Sequence, residues 1–419
     1  MYCGATQSRC GRVRSILFVN RVFPPQRGAT GRCLADLSER LAAAGWRVTV
    51  LCDGDGPADA PQGVIVLRTG RSIEDDGRLS ARAYLRSLAR LAFGALRVPR
   101  QDVIVTMTDP PLLALSGPML AAWHRAAVIH WCHDLYPDLL PALGVVTPRL
   151  LAGHLGRWMR RALRAHDGVV AIGRCMSERL SRMGITGARI TVLPNWPDPA
   201  IHQDSGAAAS ARRDLGLDGR FVVTYAGNFG LAHPLGTILD AAALLARDCP
   251  EVLFLMVGDG RAHGAMVARA AEIGLGNLLT LPFQPKERIG ALLGAADLHL
   301  VTMNPTVEGM LVPCKATGAL ATHRPCLFLG PAGSEAARRI TERRCGMVLD
   351  PGDAAGLAAA IVGYRNDHQR RAEEGRRAGL AAAEWTADLA AVRFAGVIDA
   401  LARNTTMPAG FEIGSRGCG

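Results

Sequence analysis

The chain has 419 residues, about half of them apolar, with a formal net charge of +11 and eleven cysteines. That length buries more than one core and excludes a single small binding module. The basic balance points to an anionic partner, whether nucleotide, phospholipid surface or nucleic acid, and the lack of any paired CxxC spacing points away from zinc or disulfide frameworks towards free thiols in a reducing cytosol.

Met1 to Arg14 is polar and basic, and the apolar run Ile16 to Val19 after it is too short for a signal-peptide core, so it reads as a first strand. Val- and Ile-rich runs recur at Val48 to Cys52, Val64 to Leu67, Val103 to Thr106, Val128 to Trp131, Val169 to Ile172 and Ile190 to Leu193. Segments rich in Ala, Leu and Arg with helical spacing separate most of them, which predicts a βα alternation on a mainly parallel sheet. The longest apolar stretch, Leu112 to Trp123, is broken by Gly117-Pro118 and falls short of the ~20 residues a membrane-spanning helix needs. Pro194 to Gly219 is rich in Pro, Ala, Ser and Gly without clear periodicity and reads as a linker. A second alternation follows, with strands expected at Phe221 to Tyr225, Val252 to Val257, Leu278 to Leu281, Leu298 to Thr302, Cys326 to Leu329 and Met347 to Leu349. The expected fold class is therefore α/β, two Rossmann-like parallel-sheet domains facing across a cleft, and such clefts are preferred ligand sites. Helices are expected from about Ala354 to Leu401, ahead of a frayed tail from Asn404 to Gly419.

Several loops at expected strand ends carry chemistry. The first strand runs into Arg21 to Gly31, a Pro-Pro and Gly-containing segment that enters a helix and permits close backbone approach to an anion at Arg27, Gly28, Thr30 and Gly31. It is neither a Walker A loop nor a GxGxxG fingerprint, and an ordinary βα loop has the same features. His133-Asp134-Leu135-Tyr136-Pro137-Asp138 follows the fifth strand, where His133 and Asp134 could exchange protons or orient a hydroxyl; a cap with a surface histidine is the plainer alternative. Arg157, Arg160, Arg161 and Arg164 form a basic stripe beside Trp158 at helical spacing. Such a helix suits an anionic membrane surface as well as it suits solvent, and with aromatic residues only 5% of the chain, nucleic acid is not expected. In the second half, Gly227-Asn228 and Gly258-Asp259-Gly260 end the first two strands, and Glu308 and Pro313-Cys314-Lys315 follow the fourth. Lys315 stands in the first turn of an expected short helix, a cation beside N–H donors, which makes a phosphate-bearing ligand the first to consider.

In order and spacing, Phe23-Pro24-Pro25 to Gly31, Gly45 to Val50, His133 to Asp138, Leu193-Pro194-Asn195-Trp196, Tyr225 to Gly230, Val257 to Gly260 and Ala296-Asp297 resemble family 4 glycosyltransferases, in particular bacterial polysaccharide-assembly enzymes of the colanic-acid and O-antigen type. The resemblance covers Ser15 to Phe394. It implies a GT-B fold, with an acceptor-binding domain over 15–200, a nucleotide-sugar-binding domain over 201–384 and a C-terminal helix over 385–403 returning to the first domain. It also implies a retaining transfer from a UDP- or GDP-linked sugar to a carbohydrate acceptor, with no cofactor and no metal, since cationic side chains and helix N-termini would stabilise the leaving diphosphate. Lys315 would bind that diphosphate, and Gly227 and Asn228, with Gly258, Asp259 and Glu308, would line the donor. Arg27 to Gly31 would face the reacting groups, and His133 or Asp134 would contact acceptor or transferred sugar. A lipid-linked saccharide acceptor would place the chain in the cytoplasm, peripheral to the inner membrane face, with the basic helix towards it. The sequence also departs from the pattern: Cys314 stands where serine is usual, and counting back from Pro325 puts Met310 and Gly318 where the family has paired glutamates. Two other readings therefore accompany the transferase: a non-catalytic GT-B partner subunit, and a sugar-nucleotide epimerase on the same fold.

Overall fold

A computed structural model of the chain describes residues 14–26, 28–55, 60–71, 80–145 and 148–402. Its strands are β1 (Ser15–Val19), β2 (Arg47–Cys52), β3 (Val64–Arg68), β4 (Val103–Met107), β5 (Ala127–Cys132), β6 (Gly168–Ala171) and β7 (Ile190–Val192), then β8 (Phe221–Ala226), β9 (Val252–Val257), β10 (Leu278–Leu281), β11 (Leu298–Thr302), β12 (Cys326–Leu329) and β13 (Gly346–Leu349). Each Val- and Ile-rich run expected as a strand is one of them. The helices of the first half are α1 (Ala29–Ala43), α2 (Ala81–Arg97), α3 (Gly117–His124), α4 (Leu139–Ala142), α5 (Arg149–Ala165) and α6 (Arg174–Arg182). The second half adds α7 (Ser205–Asp214), α8 (Gly236–Asp248), α9 (His263–Glu272), α10 (Lys286–Gly294), α11 (Lys315–Ala321), α12 (Glu335–Arg343), α13 (Ala354–Asn366), α14 (His368–Ala383) and α15 (Ala387–Ala402).

One expectation fails locally. The segment read as an aperiodic linker contains α7, whose N-cap Asp204 accepts a hydrogen bond from the Ala207 amide. The Ala/Ser-rich composition suggested a loop, but alanine is the best helix former and an Asp cap is enough to start it.

The seven-stranded sheet has the order β3-β2-β1-β4-β5-β6-β7 and the six-stranded sheet β10-β9-β8-β11-β12-β13. The pairings are parallel where their register is defined, as at Phe18 with Val50 and Val105, or Val223 with Phe254 and Leu298. Parallel strands covered on both faces are apolar throughout; accordingly β1, β4, β9, β11 and β12 are buried along their whole length. By compactness the chain falls into two units. The first takes the chain up to Cys132, Trp158–Val170 and α15 from Ala391 on; the second takes His133–Arg157 and Ala171–Ala390. In the first unit, Phe394 of α15 packs its ring 5.9 Å from that of Phe18 and 5.6 Å from that of Trp131, and Arg14 pairs with Asp399. In the second, the main core gathers Val223, Tyr225, Phe254, Leu300 and Leu327 from the sheet with Ile238, Leu239, Ile361 and Tyr364 from α8 and α13.

Both sheets are doubly wound. Strand order reverses between β1 and β4 in the first and between β8 and β11 in the second, and the crevice at the carboxyl ends of such a pair is where open α/β sheets bind ligands.

Candidate functional site

At the reversal point of the second sheet, three loops meet. After β8, Gly227 donates from its amide to Val257 O at 2.8 Å; after β9, Gly258 donates to Leu281 O at 2.8 Å; and Phe229 donates to Asp259 O at 2.9 Å, tying the two loops together. Their approach is so close that only glycine fits. Gly227, Gly258 and Gly260 have φ of +134°, +134° and +149°, and a β-carbon on Gly258 would collide with the Gly227 carbonyl oxygen, one on Gly260 with Asn228 Oδ1.

Lys315 enters this nest from the start of α11. Its Nζ donates to the Tyr225 hydroxyl and, at 2.9 Å, to the Asn228 carbonyl, and it lies 4.5 Å from the centroid of the Tyr225 ring. The aliphatic stem fills the place that a Gly227 side chain would need. Lys315 is only half-buried as a residue, yet protein surrounds its ammonium and no carboxylate is among its hydrogen-bond acceptors. Burial therefore pushes its pKa down to about 7. His233 stands close by, its Nδ1 2.6 Å from Thr302 O, so the imidazole is the Nδ1–H tautomer in that bond. Burial first, and the Lys315 charge second, push its pKa down to about 3. Phe229 stacks on His263 with centroids 5.7 Å apart, and the Asp259 carboxylate accepts from the Gly260 amide at 2.7 Å. The result is a lysine ammonium beside a neutral imidazole where the two glycine loops cross, a positive charge of the kind that meets a diphosphate.

The segment after β11 is built against the one after β5, both within the second unit. Leu135 donates from its amide to Met310 O at 2.7 Å, Asp134 and Leu311 form an antiparallel bridge, and the Thr306 hydroxyl donates to Ala142 O at 2.8 Å. His133 is buried and Asp134 half-buried. The two sequence-named stretches, far apart in the chain, are thus neighbours. Glu308 lies with its carboxylate against the α-carbon of Gly333, in the loop before α12. Gly318 is buried in α11, and a β-carbon there would touch Ile201 Cδ1 at 3.4 Å with Leu293 next, so this position faces an apolar wall.

In the first unit, Arg27 lies outside the described residues. Gly28 and Gly31 are explained by packing, since a β-carbon on Gly31 would meet the Val22 carbonyl oxygen at 2.8 Å and one on Gly28 the Val22 side chain at the same distance. Thr30 is half-buried in the first turn of α1. At the reversal point, Arg21 forms a two-pronged ion pair with Asp109 at 2.7 and 2.8 Å. In α5, Arg157, Arg161 and Arg164 are exposed and Arg160 is half-buried. Among the described residues, no group of three His, Cys, Asp or Glu is placed to hold a metal ion, and no helix is long and apolar enough to cross a membrane.

Sequence reasoning thus named Gly227, Asn228, Gly258, Asp259 and Lys315, which the fold brings together, but missed Tyr225 and His233. Tyr225 reads as an interior strand residue and His233 as part of a His-Pro loop; their roles depend on where the Lys315 ammonium ends, which spacing does not encode.

Comparison with known proteins identifies the architecture. Residues 28–196 match the glycosyl transferase 4-like domain and residues 220–367 the glycosyl transferases group 1 domain, together most of the chain. The chain belongs to this glycosyltransferase family. It is 28% identical over 268 residues to the glycosyltransferase WbjE of Pseudomonas aeruginosa, covering 63% of this chain and 66% of the relative. It is 28% identical over 261 residues to the colanic acid biosynthesis glycosyl transferase WcaI of Escherichia coli, covering 60% and 64%. The chain thus aligns with slightly less than two thirds of the length of these curated relatives. Among solved structures, HepE of Anabaena in complex with UDP superposes with a TM-score of 0.71 at 18% identity, covering 92% of this chain and 100% of that one. WaaG, a glycosyltransferase involved in lipopolysaccharide biosynthesis, does so with a TM-score of 0.68 at 15% identity, covering 91% and 99%. At these identities the structures establish the fold, which is GT-B.

Proposed function

We propose that this glycosyltransferase-family chain transfers a sugar, with retention of configuration, from a nucleotide-sugar donor to a lipid-linked saccharide in polysaccharide synthesis. The observation that carries the reading is the Lys315 ammonium inside the nest of Gly227, Gly258 and Gly260, at the reversal point of the second sheet. A nucleotide diphosphate leaving from a sugar carries developing charge that this cation would stabilise. Complexes of HepE with UDP and with UDP-glucose lend support, as relatives of the same fold. His133 and Asp134 would meet the acceptor or the transferred sugar, with Glu308 at the donor. Retention and the lipid-linked acceptor rest on the family resemblance, and the exposed arginines of α5 suit a cytoplasmic site of action peripheral to an anionic membrane surface.

The test is transfer from radiolabelled UDP- and GDP-sugars by the purified chain with membrane extracts. Incorporation into the lipid fraction that Lys315→Ala lowers roughly a hundredfold supports the reading, whereas full transfer by that variant removes Lys315 from the mechanism. The second reading, a non-catalytic partner subunit, is favoured by one observation: Gly318 faces Ile201 and Leu293, so no carboxylate stands where the family has its second glutamate. Activity that appears only when a second transferase is added would select it.

A further inference from the structure

Helices α2 and α3 lie on the same face of the first sheet. Leu91 and Ala95 of α2 and Leu120 of α3 enter one core with Leu17, Val19, Ile104 and Val128. Their outer surfaces meet at a corner. The Trp123 indole donates to Leu96 O at 2.9 Å, which lays the ring over the last turn of α2, and the Arg97 guanidinium donates to Phe93 O at 3.3 Å in the same turn.

What this corner shows to solvent is unusual for a surface. Phe93 is 60% exposed, Trp123 61% and Met119 47%. Single exposed apolar residues are ordinary; large ones that adjoin mark an interaction surface. Around them stand the exposed Arg97, Arg100 and Arg125. Neither helix contains an Asp or Glu from Ala81 to Arg97 or from Gly117 to His124. Aromatic rings and Met between arginines, with no carboxylate in either helix, match a bilayer of anionic lipid: rings settle at the headgroup level while guanidinium groups pair with phosphates. A protein partner of ordinary surface would bring both signs of charge, and a nucleic acid would gain little from Met119.

We infer that the α2–α3 corner is a docking surface for an anionic phospholipid bilayer, inserting Phe93, Met119 and Trp123 and pairing Arg97, Arg100 and Arg125 with lipid phosphates. It deepens the proposed function by naming a membrane contact outside α5, and rests on that reading only for why a membrane matters.

The experiment is flotation of the full chain with phosphatidylcholine vesicles, with and without a phosphatidylglycerol fraction of about a third. Wild type is expected to float with the anionic vesicles, less as salt rises. Phe93→Ser and the pair Arg97→Glu with Arg100→Glu should each lower partitioning roughly tenfold or more, the change expected for losing about 1.4 kcal/mol of contact, with unchanged melting temperature. Trp123→Ser also removes the bond to Leu96 O, so Trp123→Phe serves beside it and should retain binding. Quenching of tryptophan fluorescence by brominated lipid should fall when Trp123 is replaced. No flotation of wild type, loss only on charge reversal of Arg157 and Arg161, or concentration-dependent dimerisation that Phe93→Ser abolishes would each overturn the inference. Transfer to a detergent-dispersed acceptor, measured in parallel, separates the readings: variants that transfer normally yet do not float uphold both, and flotation by a chain with no transferase activity upholds the docking surface alone.

Discussion

Lys315 is the residue on which the donor site turns, and its chemistry is set by what surrounds it. Its ammonium leans on two uncharged oxygens, of Tyr225 and Asn228, and burial brings its pKa down to about 7 from 10.5. An incoming diphosphate favours the charged form and must raise that value. Binding above pH 7 therefore takes up a proton, so the affinity for UDP or GDP should fall as pH rises from 7 towards 9, by up to tenfold per unit. Titration calorimetry in buffers of different ionisation enthalpy would register the uptake at pH 8. A slope equal to that of Lys315→Met would show that Lys315 is not the group responsible. The same variant relieves the burial of a charge, so its melting temperature at pH 7 should equal or exceed that of wild type while nucleotide binding is weakened but still measurable.

At the scale of elements, the strands were legible because parallel sheets buried on both faces leave uninterrupted runs of Val, Ile and Leu, and β1, β9 and β12 are such runs. The missed helix, α7, shows the limit: Ala-rich composition without an apolar stripe carries a propensity but no periodicity. The glycine loops were visible as turns, but not the reason for them. That reason is the crossing of the β8 and β9 loops, where Gly258 leaves no room for a β-carbon beside the Gly227 carbonyl and holds a φ of +134°. Gly258→Ala should therefore cost about 3 kcal/mol or more in stability, combining strain with collision. Gly276→Ala, on an exposed position where a β-carbon meets nothing within 4 Å, should leave the urea midpoint within experimental scatter. Equal midpoints for both variants would mean that the two loops are not in the contact described. The arrangement of Glu308 and Gly318 was likewise beyond spacing: counting placed Gly318 where a carboxylate belonged, and only the fold reveals Ile201 and Leu293 in front of it.

For the whole molecule, the histidines matter more than the surface charge suggests. His166 in the first unit and His299 in the second are buried with their rings bonded to protein groups, His166 Nδ1 to Ala162 O at 2.7 Å and His299 Nε2 to Thr322 Oγ1 at 3.0 Å. Burial lowers their pKa values to about 4 and about 3. In the unfolded chain each binds a proton near pH 6.5, so between 6.5 and the folded values the unfolded state holds more protons. Stability is then fully present above pH 6.5 and lost as pH falls, by about 1.4 kcal/mol per unit for each group, roughly 2 kcal/mol each at pH 5. A chain already at +11 gains further positive charge over that range, and self-repulsion adds to the loss. Urea midpoints measured from pH 7.5 to pH 4.5 should show this decline, and His166→Gln should flatten it by close to one proton, even if it lowers stability at pH 7.5 by losing a packed ring. A variant whose midpoint falls as steeply as that of wild type would mean that His166 is already protonated in the folded chain or exchanges with solvent, and the acid sensitivity would then belong to the other buried histidines, His233 and His299, and the carboxylates.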